Sequence, residues 1–231
     1  MDAQTAKAIV DKIVGQVFGY KNPLTLEQFA TKFAFDVRLP QQVTDSITGQ
    51  PTWASSINPV KFMNYDNNLT LPEGSFDRPK RSINSIQDIL TFWSETNAMA
   101  TERYLDSINV AESDNVRRSE NVFRSQDVGN SKNIVFTDGV LDCEYMAACQ
   151  RSGESSFCIR LEDSTSCSNS FSVNWSGKIS NSLFIQDCAN MQDCMFCSHL
   201  NSKRFWIANM PFEEDEYKKI RDMVVRWILT S

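Results

Sequence analysis

The chain has 231 residues, 41% of them apolar and 23% charged, enough for a sizeable core and too apolar for wholesale disorder. No apolar run approaches the roughly 18 residues of a membrane span, and Met1-Asp2-Ala3-Gln4 does not read as a secretory signal. A net charge of −6, with no basic block larger than Arg78-Pro79-Lys80-Arg81, argues against a nucleic-acid partner. A single histidine, His199, removes metal sites built on two or three imidazoles, and seven cysteines, an odd number, read as thiols of a reducing compartment.

Residues 1–38 form a helical segment. Ala6, Ile9, Val10, Ile13, Val14, Val17 and Phe18 share one face of a helix from residue 2 to about 18, with Gly19 as its stop. Thr25 and Gln28 predict a capping box for a second helix bearing Leu26, Phe29, Ala30 and Phe33. These helices pack either on the rest of the chain or on another subunit.

Residues 39–84 hold five of the seven prolines, Pro40, Pro51, Pro59, Pro72 and Pro79, so long regular structure is not expected. The aromatics Trp53, Phe62, Tyr65 and Phe76 are spaced through the same stretch. It reads either as an extended arm that inserts these side chains into a partner, or as a long loop packed on its own domain. Over residues 85–106 helix returns: Ser85 and Asp88 cap it, and Ile86, Ile89, Leu90 and Trp93 make its stripe. This helix is expected to cap the start of the C-terminal half.

From Ser107 the sequence repeats every six residues: SINVAE, SDNVRR, SENVFR, SQDVGN, SKNIVF. A small residue stands at 107, 113, 119, 125 and 131, Asn or Asp two places later, and an aliphatic one place after that. Looser copies continue the frame, with Cys143 and Cys149 in the small column and Val140 and Met146 in the aliphatic one. Beyond about Gly153 the columns exchange roles: Ser164, Ser170, Ser176, Ser182, Cys188 and Cys194 become the small file, and Leu161, Val173, Ile179, Ile185 and Met191 the large one. A three-residue slip near Gly153 would account for the exchange.

Six is not a helical period, and Ser, Asn, Val and Cys are poor helix residues. The fold class expected is mainly β: a single-stranded parallel β-helix, a hexapeptide-period solenoid over residues 107–210, with like residues stacked on like. Seventeen hexads would give about eight coils of two or six of three, a rod of roughly 25–40 Å. Residues 211–231, opened by Pro211 and Glu213-Glu214-Asp215-Glu216, predict a C-terminal capping helix with Tyr217, Ile220, Val224, Trp227 and Ile228 on its apolar face.

One cluster has the look of a metal site: Cys188, Cys194, Cys197 and His199. The repeat alone places all three cysteines, and buried Cys fills a narrow interior well, so the cluster reads first as packing. A hexapeptide-repeat acyltransferase would need His199 as its base. Such repeats space aliphatic and small positions by four and two, whereas here the spacing is three and three. No catalytic residues and no cofactor are expected.

The segment from Cys194 to Asn209 (CMFCSHLNSKRFWIAN), followed by Glu213-Glu214-Asp215-Glu216-Tyr217, resembles the ending of an uncharacterised family of Cys/Asn/Ser-rich solenoid proteins of bacterial and phage genomes. The likeness extends loosely over residues 140–220 and departs from the family pattern at Asn201-Ser202 and at Trp206, where a Cys is usual. It implies a solenoid and brings no catalytic residues. Together with the ladder and the aromatic-bearing arm, it leads to the expectation of a non-enzymatic phage structural protein. Such a subunit would decorate the capsid or associate with the head in the virion, contacting the major capsid protein or other virion subunits and itself oligomeric. The alternatives are a trimeric acyltransferase-like enzyme and a zinc-stabilised binding module.

Overall fold

A computed structural model describes residues 1–230. The protein is mainly β: a β-solenoid of about nine turns with parallel strands, N-terminal helices and a C-terminal helix. Each coil takes two hexads, because every strand pairs in parallel with the one twelve residues on, as in Lys132 with Glu144 and Ile134 with Met146.

The coil is four-sided. From Asp106 (φ 50°) to Ala208 (φ 50°) every third residue is in the left-handed region, turning the chain at each corner. Asn and Asp tolerate this conformation best, which explains the column that holds Asn109, Asn115, Asn121, Asp127 and Asn133. Their side chains also bond from coil to coil, Asn121 donating to Asn133 at 3.0 Å.

The residue after each corner points inward, so four files line the interior. In one coil these are Ser119, Val122, Ser125 and Val128, all buried. Most of the small residues make two bonds. The Ser125 hydroxyl donates to the Phe123 carbonyl two residues back, at 2.9 Å, and accepts the Thr137 amide of the next coil, at 3.0 Å. Cysteine replaces serine in the same geometry: the Cys149 thiol donates to the Ala147 carbonyl and accepts the Leu161 amide. Thr137 is an exception, its buried hydroxyl lacking a partner.

The exchange of columns involves no slip, contrary to the expectation from sequence. Val140 pairs with Ser152 and Met146 with Cys158 in the unbroken twelve-residue register. In a coil with four inner files, residues six apart face each other across the interior. Two large and two small side chains fill the same space whichever opposed pair is large. Valines occupy one pair at Val122 and Val128, and Ile179 and Ile185 occupy the other further along. At the crossover, Cys149, Ser152, Ser155 and Cys158 are all small.

A second core lies outside the coils. Phe123, Val135, Ala147, Ile159, Phe171, Leu183, Met195 and Ile207 form an outer file at twelve-residue spacing, buried beneath the helices. Helix α1 (Ala3–Phe18), capped by Asp2 and stopped by Gly19 at φ 77°, lies along this file. Its 16 residues span about 24 Å, the height of five coils at roughly 4.8 Å each. Accordingly Lys12 stands over the Tyr145 ring and Phe18 meets Phe171 edge-on, two coils along. Helix α2 (Leu26–Phe33) has the predicted Thr25–Gln28 capping box and places Phe33 against Phe171. Of the two readings of the N-terminal helices, packing on their own chain is the one observed.

The stack ends in a short antiparallel turn, Trp206 opposite Pro211, after which helix α3 (Glu214–Thr230) runs back along the outer file. Tyr217 sits against Phe205, and Trp227 reaches the earlier Phe184. The Arg221 guanidinium donates to the Val17 carbonyl at 2.7 Å, and the Tyr20 hydroxyl donates to Asp222. Val225 and Leu229 join Tyr217, Val224 and Ile228 in the buried face, whereas Trp227, expected in that face, is 54% exposed.

The proline-containing segment is not extended throughout. Strands β1 (Gln41–Thr44) and β2 (Pro51–Ala54) form a hairpin, and β3 (Lys61–Asn64) pairs in parallel with β4 (Ala98–Thr101). The two pairs are joined to each other, the Thr52 and Thr101 hydroxyls 2.6 Å apart and the Glu102 amide donating to the Trp53 carbonyl, and Ser55, just after β2, donates to Asp114 of the first coil. The helix expected to cover the start of the stack spans Ile86–Thr96 with its Ser85–Asp88 capping box, but none of its residues is buried.

In urea unfolding, Ser125→Ala is expected to cost about 1–3 kcal/mol through its lost bonds, and Phe171→Ala about 3–5 kcal/mol through loss of the outer core. An unchanged midpoint for Phe171→Ala would show that the helices do not contribute to the stability of the rod.

Candidate functional site

The candidate metal cluster is divided between the inside and the outside of the solenoid. Cys188, Cys194 and Cys197 point inward, and their thiols donate to the carbonyls of Gln186, Gln192 and Met195 at 3.2, 3.2 and 3.3 Å. His199 lies at a corner with its ring outside, Nδ1 2.7 Å from Asp187 Oδ2 one coil away. Both side chains are well exposed. Among the described residues no group of three or more His, Cys, Asp or Glu side chains is placed to hold a metal ion.

Most of the inner thiols sit where ionisation is costly; in the adjoining pair the hydrogen bond between the two thiols raises Cys194 and lowers Cys197 to about 7, and both stay buried. Burial pushes the Cys149 thiol up to about 12 and the Cys167 thiol up to about 11. Cys158, fully enclosed, is also raised, by burial first and then by the neighbouring thiols. A thiol that is neither accessible nor ionised is a poor nucleophile. The repeated Ser and Cys residues therefore act as cross-links between coils.

The aromatics of the arm do not form one surface. Trp53 is half-buried, its ring 5.6 Å from the Arg124 guanidinium. Phe62 and Tyr65 are half-buried in and beside β3, while Phe76 is exposed. Phe76 opens instead onto a groove of about 380 Å³ shared with Arg78, Arg81, Ile83, Ile89, Phe92 and Trp93. Arg81 lies 3.8 Å over the Phe92 ring and bonds both oxygens of Glu95, at 2.9 and 2.8 Å. Those bonds hold the Glu95 carboxyl below its ordinary value.

Around this groove Ile86 is 71% exposed and Trp93 58%, with Ile83, Ile89 and Leu90 also exposed. An eleven-residue helix is too short to be stable by propensity alone. Tertiary packing of its apolar face would ordinarily hold it, and within this chain that face is bare. The stripe was visible in the sequence; its exposure was not.

Asp114 is the residue that sequence reasoning missed. It is fully buried, and it accepts the Ser55 amide and hydroxyl, the Arg103 amide and two guanidinium bonds from Arg103. Burial pushes its carboxyl up, but the Arg103 and Ser55 bonds outweigh that and hold it below its ordinary value. Asp114 thus ties the front segment to the first coil. Its position in the repeat is otherwise an ordinary polar one, so nothing in the sequence distinguished it.

Comparison with known protein families, with curated proteins and with solved structures returns no match.

The buried thiols lead to two expected outcomes. The seven thiols of the folded protein should resist a thiol reagent at pH 8 and all react in denaturant; rapid labelling of the native chain would contradict the buried geometry. For pH, a thiol held above its unfolded value of 9.0 favours the folded state fully below that value. Native stability should therefore fall as pH rises from about 9 toward 12, measured as a dropping denaturation midpoint. A midpoint flat over that range would oppose it.

Proposed function

We propose that this protein is a non-enzymatic structural subunit of a phage particle, decorating the capsid or associated with the head, and attached through the segment around residues 76–96. The observation that carries this reading is the bare apolar face of Ile83, Ile86, Ile89, Leu90 and Trp93, beyond the end of a rod whose own cores are closed. Burying such a face on a partner would supply the packing that the helix lacks.

The solenoid suits a mechanical role. Most of its interior hydroxyls and thiols link one coil to the next, and two helices brace its flank. The chain on either side of the attachment segment is held to the first coil by the Asp114–Arg103–Ser55 bonds, so load on the partner would pass to the rod through a partly buried ion pair. A net charge of −6 favours protein partners over nucleic acid.

The test is co-expression with the capsid genes of its own genome. Wild-type chain should sediment with the shells, and Ile86→Asp with Trp93→Asp should remain in the supernatant with an unchanged melting temperature. Equal retention of the double variant would overturn attachment by this face. Wild-type chain left in the supernatant would overturn the virion assignment. In parallel, Asp114→Ala should lower stability by about 3–5 kcal/mol, because it leaves Arg103 unpaired and releases the front segment. A loss below about 1 kcal/mol in equilibrium unfolding would show that the ion pair is not what holds that segment.

A further inference from the structure

A second surface lies near the far end of the rod, on its flank. Ser172, Phe184 and Phe196 recur at twelve-residue spacing along one corner, and Asn174, Gln186 and Ser198 run beside them. Between these rows is a groove of about 310 Å³, floored at Ile185 and Cys197. Phe184 and Phe196 stack at 4.5 Å with an interplanar angle of 10°, and Trp227 lies 6.1 Å from Phe184. Phe196 is 42% exposed, so the aromatic row forms an open ridge.

The opposite row carries no charge, and its polar groups are free. The side chains of Ser172, Asn174, Gln186 and Ser198 make no hydrogen bond to any described residue. Earlier members of the same file are engaged: Asp114 holds Ser55 and Arg103, Gln126 donates to Asp138, and Glu162 pairs with Arg151. The file becomes neutral and unpartnered where the aromatic ridge begins.

We propose that this groove binds a neutral saccharide. A pyranose ring has an apolar C–H face and a rim of hydroxyls. The first is complementary to an aromatic ridge and the second to free amides and hydroxyls. The polar side chains recur at the coil spacing of roughly 4.8 Å, close to the length of one sugar unit, so an oligosaccharide would lie along the rod.

The lining disfavours other ligands. No cation is present for a phosphate or carboxylate, and no acid for a metal or an amine. An added peptide strand would need unpaired backbone, but the Asn174 and Gln186 carbonyls already accept the Asp187 and His199 amides, at 3.0 and 3.2 Å.

The experiment screens the full chain against neutral oligosaccharides of glucose, galactose and N-acetylglucosamine by saturation-transfer NMR, with titration of those that respond. At least one should bind, with transfer strongest to the C–H protons of one ring face. Phe196→Ala, and separately Asn174→Ala with Gln186→Ala, should weaken it at least tenfold without changing thermal melting. The Ile86→Asp variant should bind as wild type does, which separates this site from the attachment face. No response from any neutral member, or affinity unchanged in both groove variants, would overturn the proposal.

Discussion

The structure depends on one repeated interaction: a small inward side chain that donates to the carbonyl two residues behind it and accepts the amide of the coil ahead. Ser119, Ser125 and Ser131 each make both bonds. A four-sided coil with a left-handed corner at every third residue cannot satisfy all its amides through regular strand pairing. The buried hydroxyl fills that gap. Serine and cysteine are suited to it because each combines a donor and an acceptor with minimal volume. The aliphatic residues between them then supply the apolar filling. Polar satisfaction and packing thus come from alternate members of one repeat.

The same constraint explains how the columns can exchange roles without shifting the chain. Register is held by backbone pairing and by the ladder bonds, neither of which specifies which opposed pair of files is bulky. Volume conservation fixes only the total around each coil. Passing through four small residues at Cys149, Ser152, Ser155 and Cys158 lets one arrangement hand over to the other without a coil that is overfilled. The corner residues follow a similar economy. Asn and Asp accept the left-handed conformation easily in one column, but Arg118, Arg124 and Phe136 adopt it too, held there by the coils on either side.

What was legible in the sequence was the information carried by short periods. The hexad gave the parallel solenoid and its inner files, and Thr25, Ser85 and Gly19 marked helix ends that the structure places there. The number of hexads per coil is also written there, in a subtler column. The residue after each aliphatic alternates, Ala111, Phe123 and Val135 being apolar while Arg117 and Gly129 are not. That twelve-residue period marks one flank as covered and the opposite flank as bare. It would have assigned the N-terminal helix to the outer file, since α1 matches five coils in length. The slip inferred near Gly153 came from treating large and small columns as fixed labels rather than as opposed pairs. Asp114 and the groove beside Phe196 depend on which distant segments cover a given coil, and no local pattern encodes that.

The two ends of the rod are finished differently, and the difference has a functional sense. At the far end the chain turns antiparallel at Trp206–Pro211 and sends α3 back along the flank, which consumes the open edge within the molecule. At the near end the edge meets strands from residues 51–54 and 98–101, locked by Asp114, and beyond them the chain still exposes isoleucines, a leucine and a tryptophan. An isolated rod would gain nothing from that asymmetry, since exposed apolar side chains cost solubility. The asymmetry fits the attachment proposed above: the near end would be buried on a partner, the far end is closed by its own chain, and the stack between them would hold the proposed side groove at a fixed height.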